Sequence, residues 1–546
     1  MSGFGERFRR AGFSVPKPLI EVAGRPIISY VADLFPGETD ILFICNDDHL
    51  VEPRFRMRDI LQEIRPQARI VGVPPHGKGP VHAVAQVFDM IGDDEPVIVN
   101  YCDFTCFWDY AHFKRFVDET GCDGAIPAYR GYHPHSLGST YYAYVKESGG
   151  WASAIQEKKP WTDMPINEYA SSGTYYFKSG ALMKHAFDAV LSRGIETNGE
   201  HYASLAYIPL FEERRRIVVY GLQHFMQWGT PQDLAEYKQH DEAFRALSEP
   251  AQYRPAQHKG TLLLPMAGAG SRFVAEGYEQ PKPLIPVSGR AMAVAAAADL
   301  PQTESQVFVL RRDLAHVDAT VEAMREAFPG CHIVMLDELT EGQAITCLKA
   351  MEGVDLDAPL TIGACDTGAL YDAAEFEALL AAPDTDVIVW GFSGHDAAHR
   401  RPTSYGWIEA VDGVVKQVAV KTPLADPATD PVVTGTFTFK RARDFVAAVE
   451  RMIARDARVN GEYYVDTCIN DAVALGLNVR LFETDAYLCW GTPNELKTFE
   501  YWQSCFHKWS AHPYSLSRDA RVPLDAVDVL ERRYATVRPV QPNSLE

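Results

Sequence analysis

The run Thr261-Leu-Leu-Leu-Pro265, then Met266-Ala-Gly268-Ala-Gly270-Ser-Arg272-Phe273, then Pro281-Lys282-Pro283-Leu284-Ile285, decides the fold. A short apolar run that ends in a glycine-rich turn reads as a buried strand opening an α/β sheet. The pattern returns near the N-terminus as Gly3-Phe-Gly5-Glu-Arg7-Phe8 and Pro16-Lys17-Pro18-Leu19-Ile20, with Gly24-Arg25 answering Gly289-Arg290. Every matched pair lies 265 positions apart. One offset shared by three blocks marks a duplicated domain, and each copy is too long to be a solenoid unit.

Working outward, Gln306–Leu310, Ile333–Leu336 and Leu360–Ala364 read as further strands, and Ala293–Leu300 and Glu341–Ala350 as helices. The first half repeats the order with Ile41–Cys45, Arg69–Val73, Gly77–Ala83 and Pro96–Asn100. Later blocks agree as well. Gly173-Thr-Tyr-Tyr-Phe177 answers Gly435-Thr-Phe-Thr-Phe439, Asn198-Gly-Glu200-His-Tyr202 answers Asn460-Gly-Glu462-Tyr-Tyr464, and Trp228-Gly-Thr-Pro231 answers Trp490-Gly-Thr-Pro493. Alternating strands and helices indicate two three-layer α/β domains with mostly parallel sheets. Sites in such sheets lie beyond the carboxyl ends of strands. The expected domains are 1–245 and 260–500, with a polar linker at 246–259 and an extension at 501–546. A helix is expected over 524–536, and the last ten residues read as disordered. The first copy has no counterpart of Thr261–Pro265, because Met1 aligns with Met266. The expectation is a start codon further upstream or, failing that, a first copy impaired by a missing central strand.

The chain has 546 residues and a net charge of −21, which argues against nucleic-acid backbone or an anionic membrane as the main partner. Its ten cysteines are scattered without metal-knuckle or disulfide spacing, which fits a cytoplasmic protein. No apolar run is long enough to span a bilayer.

The chemistry rests on a few positions. Gly268-x-Gly270 follows a strand, and such glycines let backbone amides approach a phosphate. Arg272 and Lys282 follow at fixed spacing, as do Arg7 and Lys17 after Gly3 and Gly5. Prolines on both sides of each lysine are expected to hold it on a stiff extended segment, aimed as a point charge. Asp103 and Asp366 end matching strands, where a lone carboxylate suits Mg²⁺ shared with substrate phosphates. Neither half has an Asp-x-Asp there, which counts against a nucleotide-sugar-dependent glycosyltransferase.

Both halves resemble the sugar-phosphate nucleotidylyltransferase superfamily, and the capsule-locus members in particular. The shared features are G-x-G-x-R-[FL], P-K-[PA]-[LM], the strand-end Asp, an E-K-P-like segment, G-x-Y-x-F and a late G-T-P. The resemblance implies transfer of a nucleotidyl group from a nucleoside triphosphate to a phosphorylated acceptor. It implies that Gly3, Gly5, Gly268 and Gly270 line the nucleotide and that Arg7 and Arg272 hold the leaving phosphates. By the same resemblance Lys17 and Lys282 act at the α-phosphate, and Asp103 and Asp366 bind Mg²⁺. Lys158 and Lys421 would meet the acceptor's phosphate. Gly173 and Gly435 would line the substrate, and Glu200 and Glu462 would contact the acceptor. A second metal-binding aspartate of the relatives is replaced by Gln227 and Cys489, with Asp466 or Asp485 as possible substitutes. His76, His82 and His135 read as surface or structural residues. Two other readings stay open: a family 2-like glycosyltransferase in capsule biosynthesis, and one half that is non-catalytic.

Overall fold

The computed structural model describes residues 1–249 and 253–543. The chain divides into two compact units, Met1–Lys238 with Thr536–Glu546, and Gln239–Ala535. The division falls inside the helix Pro231–Leu247. The stretch expected to be a linker is therefore helical up to Leu247, and the next strand begins at Gln257. Pro250, within that stretch, lies outside the described residues. The extension after residue 500 is split, with 501–535 in the second unit and the rest in the first. No described helix is long and apolar enough to cross a membrane.

The first unit contains β1 (Leu42–Asn46), β2 (Arg69–Val73), β3 (Val97–Asn100), β4 (Gly124–Tyr129), β5 (Ala143–Ser148), β6 (Trp151–Glu157), β7 (Tyr169–Ser171), β8 (Thr174–Phe177) and β9 (Ile217–Leu222), besides short two- and three-residue strands. Among the described residues, seven of them form one sheet in the order β7-β5-β6-β9-β4-β8-β3, while β1 and β2 pair in parallel as a separate two-stranded sheet. Residues alternate between the two faces of a strand, and the core follows that rule. Ile126 and Ala128 pack with the helices Pro80–Ala85 and Gly180–Arg193, while Ala125 and Tyr129 pack with Tyr110–Thr120. Helices therefore cover both faces.

The second unit contains β10 (Gln257–Pro265), β11 (Gln302–Arg311), β12 (His332–Leu336), β13 (Leu360–Ile362), β14 (Val387–Phe392), β15 (Gly406–Val411), β16 (Val414–Val420), β17 (Val432–Phe439) and β18 (Val479–Glu483). Among the described residues these form one sheet in the order β12-β11-β10-β13-β17-β14-β18-β16-β15. The first four strands are parallel, and β17 enters antiparallel to both β13 and β14. The sheet is thus mixed rather than parallel throughout. Leu263 and Ile362 face the helices Gln343–Lys349, Ala442–Ala454 and Val465–Ala474. Leu262 and Leu264 face Met292–Asp299 and Val317–Ala327.

The two units differ most at β10. In the second unit it lies between β11 and β13 and joins them in parallel. In the first unit the corresponding strands, β1 and β3, are not paired with each other.

Two expectations need correction. Each lysine between prolines opens a one-turn 3₁₀ helix, Lys17–Leu19 and Lys282–Leu284, rather than lying on an extended segment. A proline at the first turn is tolerated because its missing N–H has no intrahelical partner to lose. The C-terminal tail is also ordered as far as it is described. After the helix Leu524–Tyr534, Arg538 pairs with Asp109 at 2.9 Å, and the Asn543 amide donates to the Gly149 carbonyl at 2.9 Å. The Trp151 indole donates to the Asn543 carbonyl at 2.8 Å.

Candidate active site

In each unit the glycine-rich turn ends on a glycine in the left-handed region, Gly5 at φ 64° and Gly270 at φ 61°, which caps a five-residue helix carrying the arginine. A side chain on Gly270 would press against the Lys282 Cβ at 3.2 Å. Glycine is thus favoured by the left-handed turn in both units, and at Gly270 also by the close approach of the lysine.

The lysine then reaches across the chain to the strand-end aspartate. Lys17 Nζ donates to Asp103 Oδ2 at 2.5 Å and to the Gly229 carbonyl at 2.9 Å. Lys282 Nζ pairs with Asp366 and donates to the Gly491 carbonyl at 3.2 Å. The late Gly-Thr-Pro block therefore supplies a backbone acceptor. It is held in place by a second backbone bond, from Trp228 N to the Asp103 carbonyl and from Trp490 N to the Asp366 carbonyl, each 2.9 Å. Burial works to lower the Lys282 pKa, but the Asp366 carboxylate and its hydrogen bond outweigh it and hold the ammonium above its usual range.

Each unit has a second charged cluster, which in the first unit lines the same cleft as the first. Lys158 and Lys421 both sit in the left-handed region, at φ 60° and 56°. Such strain in a non-glycine residue is tolerated where surrounding structure imposes it. The ammonium of Lys158 lies 4.3 Å from the Tyr202 ring centre and that of Lys421 4.7 Å from Tyr464. Each lysine also donates to the hydroxyl of its tyrosine. Tyr202 in turn donates to Glu200, and Tyr464 is hydrogen-bonded to Glu462. Glu157, beside Lys158, has its pKa raised by burial, with Ser204 partly offsetting this.

In the first unit these residues share one cleft of about 580 Å³. Gly3, Gly5, Arg7, Lys17, Asp103, Lys158, Gly173 and Glu200 all line it. Sequence reasoning missed several other lining residues, among them Tyr101, Tyr202 and Asp233. Tyr202 had a signal, because the repeat matches it to Tyr464. His76 also lines the cleft, whereas His135 is buried and bonded to the Tyr129 hydroxyl at 2.9 Å. The Arg7 guanidinium stands 4.8 Å from the ring centre of Tyr141, another lining residue.

In the second unit, Gly268 and Arg272 occupy the corresponding turn, and Gly435 lies against Ala364 just before Asp366. Asp466 and Asp485 do not meet Asp366. Asp466 lies under Gly406 beside Lys421, with its pKa pushed up to about 6 by burial. Asp485 is tied through its backbone to Leu370. The carboxylate that does converge with Asp366 is Glu495. A Cβ on Gly491 would lie 3.1 Å from Asp366 Oδ2 and 3.4 Å from Glu495 Oε2. In the first unit the neighbour of Asp103 over Gly229 is the neutral Gln227 amide. Mg²⁺ is commonly held by one or two carboxylates together with substrate phosphates, and both donor sets fit that pattern.

Residues 2–159 match the MobA-like NTP transferase domain family. A mannose-1-phosphate guanyltransferase beta-B of Xenopus laevis is 24% identical over 242 residues, 43% of this chain and 61% of that protein. The mannose-1-phosphate guanylyltransferase catalytic subunit beta of Dictyostelium discoideum is 24% identical over 193 residues, 33% of this chain and 49% of that protein. The chain thus spans about three fifths or less of these relatives' own length. Among solved structures, a nucleoside-diphosphate-sugar pyrophosphorylase from Vibrio cholerae RC9 aligns with a TM-score of 0.35 and 24% identity, over 44% of this chain and 98% of that one. The family match over residues 2–159 and the sequence relatives thus support a likeness to the sugar-phosphate nucleotidylyltransferase superfamily.

Proposed function

We propose that the chain transfers a nucleotidyl group from a nucleoside triphosphate to a sugar phosphate, with release of pyrophosphate. The observation that carries this reading is the pair of cationic positions in one cleft, Lys17 beside Asp103 and Lys158 over Tyr202. Two phosphorylated substrates need two such positions. An acceptor phosphate oxygen forms the new bond to the α-phosphorus, the bond to the β-phosphate oxygen breaks, and pyrophosphate leaves with its electron pair. A phosphate oxyanion is already a nucleophile, so no general base is needed, and the protein's part is positioning and charge neutralisation.

Lys17 and Lys282 meet the α-phosphate, and Arg7 and Arg272 hold the phosphates that leave. The glycine turns, Gly3 with Gly5 and Gly268 with Gly270, lie along the nucleotide. Lys158 and Lys421 take the acceptor's phosphate, while Glu200 and Glu462, with Gly173 and Gly435, line the acceptor side. Asp103 and Asp366 are the residues that would hold Mg²⁺, which when bound supplies further neutralisation of phosphate charge. Each lysine–aspartate pair keeps a phosphate position and a metal position side by side without net charge. The proposed setting is the cytoplasm, and the proposed product is an activated sugar for capsule or other surface polysaccharide.

The test is a matrix of the four common nucleoside triphosphates against sugar 1-phosphates, read by pyrophosphate release with and without Mg²⁺. A single dominant pair supports the reading. Silence across the matrix, with the fold intact, would reject it.

A second reading has its own observation. The sheet of the first unit is split between β1 and β3, whereas that of the second is continuous through β10. This favours the second unit as the working site and a non-catalytic role for the first.

A further inference from the structure

We propose that the second unit binds a zinc-class transition-metal ion through His395, Cys489 and Glu495, beside the Lys282–Asp366 pair. This does not depend on the reaction assigned to the chain.

The three residues come from three separate elements. His395 precedes the short helix Asp396–Arg400, Cys489 ends the strand Ala486–Cys489, and Glu495 lies in the first turn of Pro493–Lys508. One ligand atom from each lies within 4.8 Å of the others. All three line a small cavity of about 40 Å³, room for an ion and a water. Among the described residues no other group of three such ligands converges in this way.

The donor set is selective. Thiolate, imidazole and carboxylate together suit Zn²⁺ or Co²⁺, whereas Mg²⁺ takes oxygen ligands only. One thiolate and one carboxylate cancel the charge of a divalent ion, which a partly buried site requires. Ligands about 2.0–2.3 Å from a tetrahedral ion lie roughly 3.3–3.8 Å apart, so the site must close by on the order of 1 Å.

The Gln239 amide donates to His395 Nδ1 at 3.3 Å while its own carbonyl accepts from the Asp396 N–H, and the Tyr405 hydroxyl donates to Glu495 Oε1 at 2.6 Å while lying 3.4 Å from His395 Nε2. An ion on Nε2 requires the proton to move to Nδ1 and the Gln239 amide to turn over so that its carbonyl accepts from Nδ1–H, as partners of metal-bound histidines do. The Tyr487 ring stands edge-on to His395, 4.8 Å between centres. Arg400, which also lines the cavity, is paired with Asp396 at 2.5 Å, so its charge is balanced. Three protein ligands leave a fourth position open. Asp366 is close by, since Asp366 and Glu495 both flank Gly491.

The first unit provides an internal control. The matched positions are Tyr132, 263 residues before His395 as in the flanking strands, and Gln227 and Asp233, 262 before Cys489 and Glu495, so a phenol replaces the imidazole and an amide the thiol. The proposal therefore demands one ion per chain rather than two.

The test uses the full chain, freed of metal by a chelator and titrated with Co²⁺. The expected result is one equivalent bound, with a thiolate-to-cobalt charge-transfer band that Zn²⁺ abolishes and excess Mg²⁺ does not. Cys489→Ser should remove the band, and Glu495→Gln should weaken Co²⁺ binding about tenfold or more. Cys365→Ser, at the thiol next to Asp366, should leave the band in place. Circular dichroism checks that each variant folds; should Cys489→Ser fail, the Glu495→Gln titration decides. Absence of a charge-transfer band on the parent chain, its survival in folded Cys489→Ser, or unchanged affinity in Glu495→Gln would overturn the proposal.

Discussion

Replacing Lys282 with alanine removes the one ammonium that both neutralises Asp366 and bonds the Gly491 carbonyl. The two side chains are only 16% and 21% exposed, so water does not take over the lost contacts freely. Asp366 is left with an uncompensated charge, which should lower stability by about 1–3 kcal/mol, less than for a fully buried pair because both groups keep some solvent. The effect on rate should be larger. Loss of one preorganised charge at a reacting phosphate costs about 10²–10³ in kcat. The assay is pyrophosphate release on the best substrate pair from the matrix, run beside thermal melts so that the two effects are separated. Lys17→Ala makes the same change in the first unit, and the double variant removes both. If the second unit is the working one, Lys282→Ala and Asp366→Ala each abolish most turnover and Lys17→Ala is mild. Reversal of that order would move the working site to the first unit. A folded Lys17→Ala/Lys282→Ala double variant that keeps parental turnover would refute the role given to these lysines altogether.

Lys421→Ala should chiefly raise the KM for the acceptor with little change in kcat, because its charge meets a phosphate present before reaction; an effect confined to kcat would contradict the assignment. Tyr464→Phe should give a weaker version of the same effect, since the ring stays under the ammonium while the hydroxyl bond is lost. Gly342→Ala should destabilise the second unit by about 2–4 kcal/mol, because its φ is 124° and a Cβ would lie 2.6 Å from the Tyr463 backbone. A melt within error of the parent would show that the Gly342 turn yields more readily than its packing implies.

The two levels of description divide at the range of the contacts. The duplication, the glycine turns and the order of strands and helices were legible in the sequence because they rest on spacing and on local preference. The run Thr261–Pro265 reads as a strand from its own residues, and it is an internal strand of the sheet in the second unit. Gly5 and Gly270 likewise announce a turn that few other residues adopt. Only the tertiary structure showed that, among the described residues, β1 and β2 stand apart from the larger sheet of the first unit.

The same division runs through the site. Local pattern singled out Lys282 and Asp366 separately, yet their direct pairing depends on chain closure across 84 positions. It could not foresee that the Gly491 carbonyl would accept from the lysine, because a backbone acceptor carries no residue-type signal. Sequence offered Asp466 and Asp485 as stand-ins for a second carboxylate, since any acidic residue nearby in the chain qualifies equally. The fold brought Glu495 to Asp366 instead and set His395 and Cys489 beside it, because strand pairing and helix placement, not sequence distance, decide which side chains share a cavity.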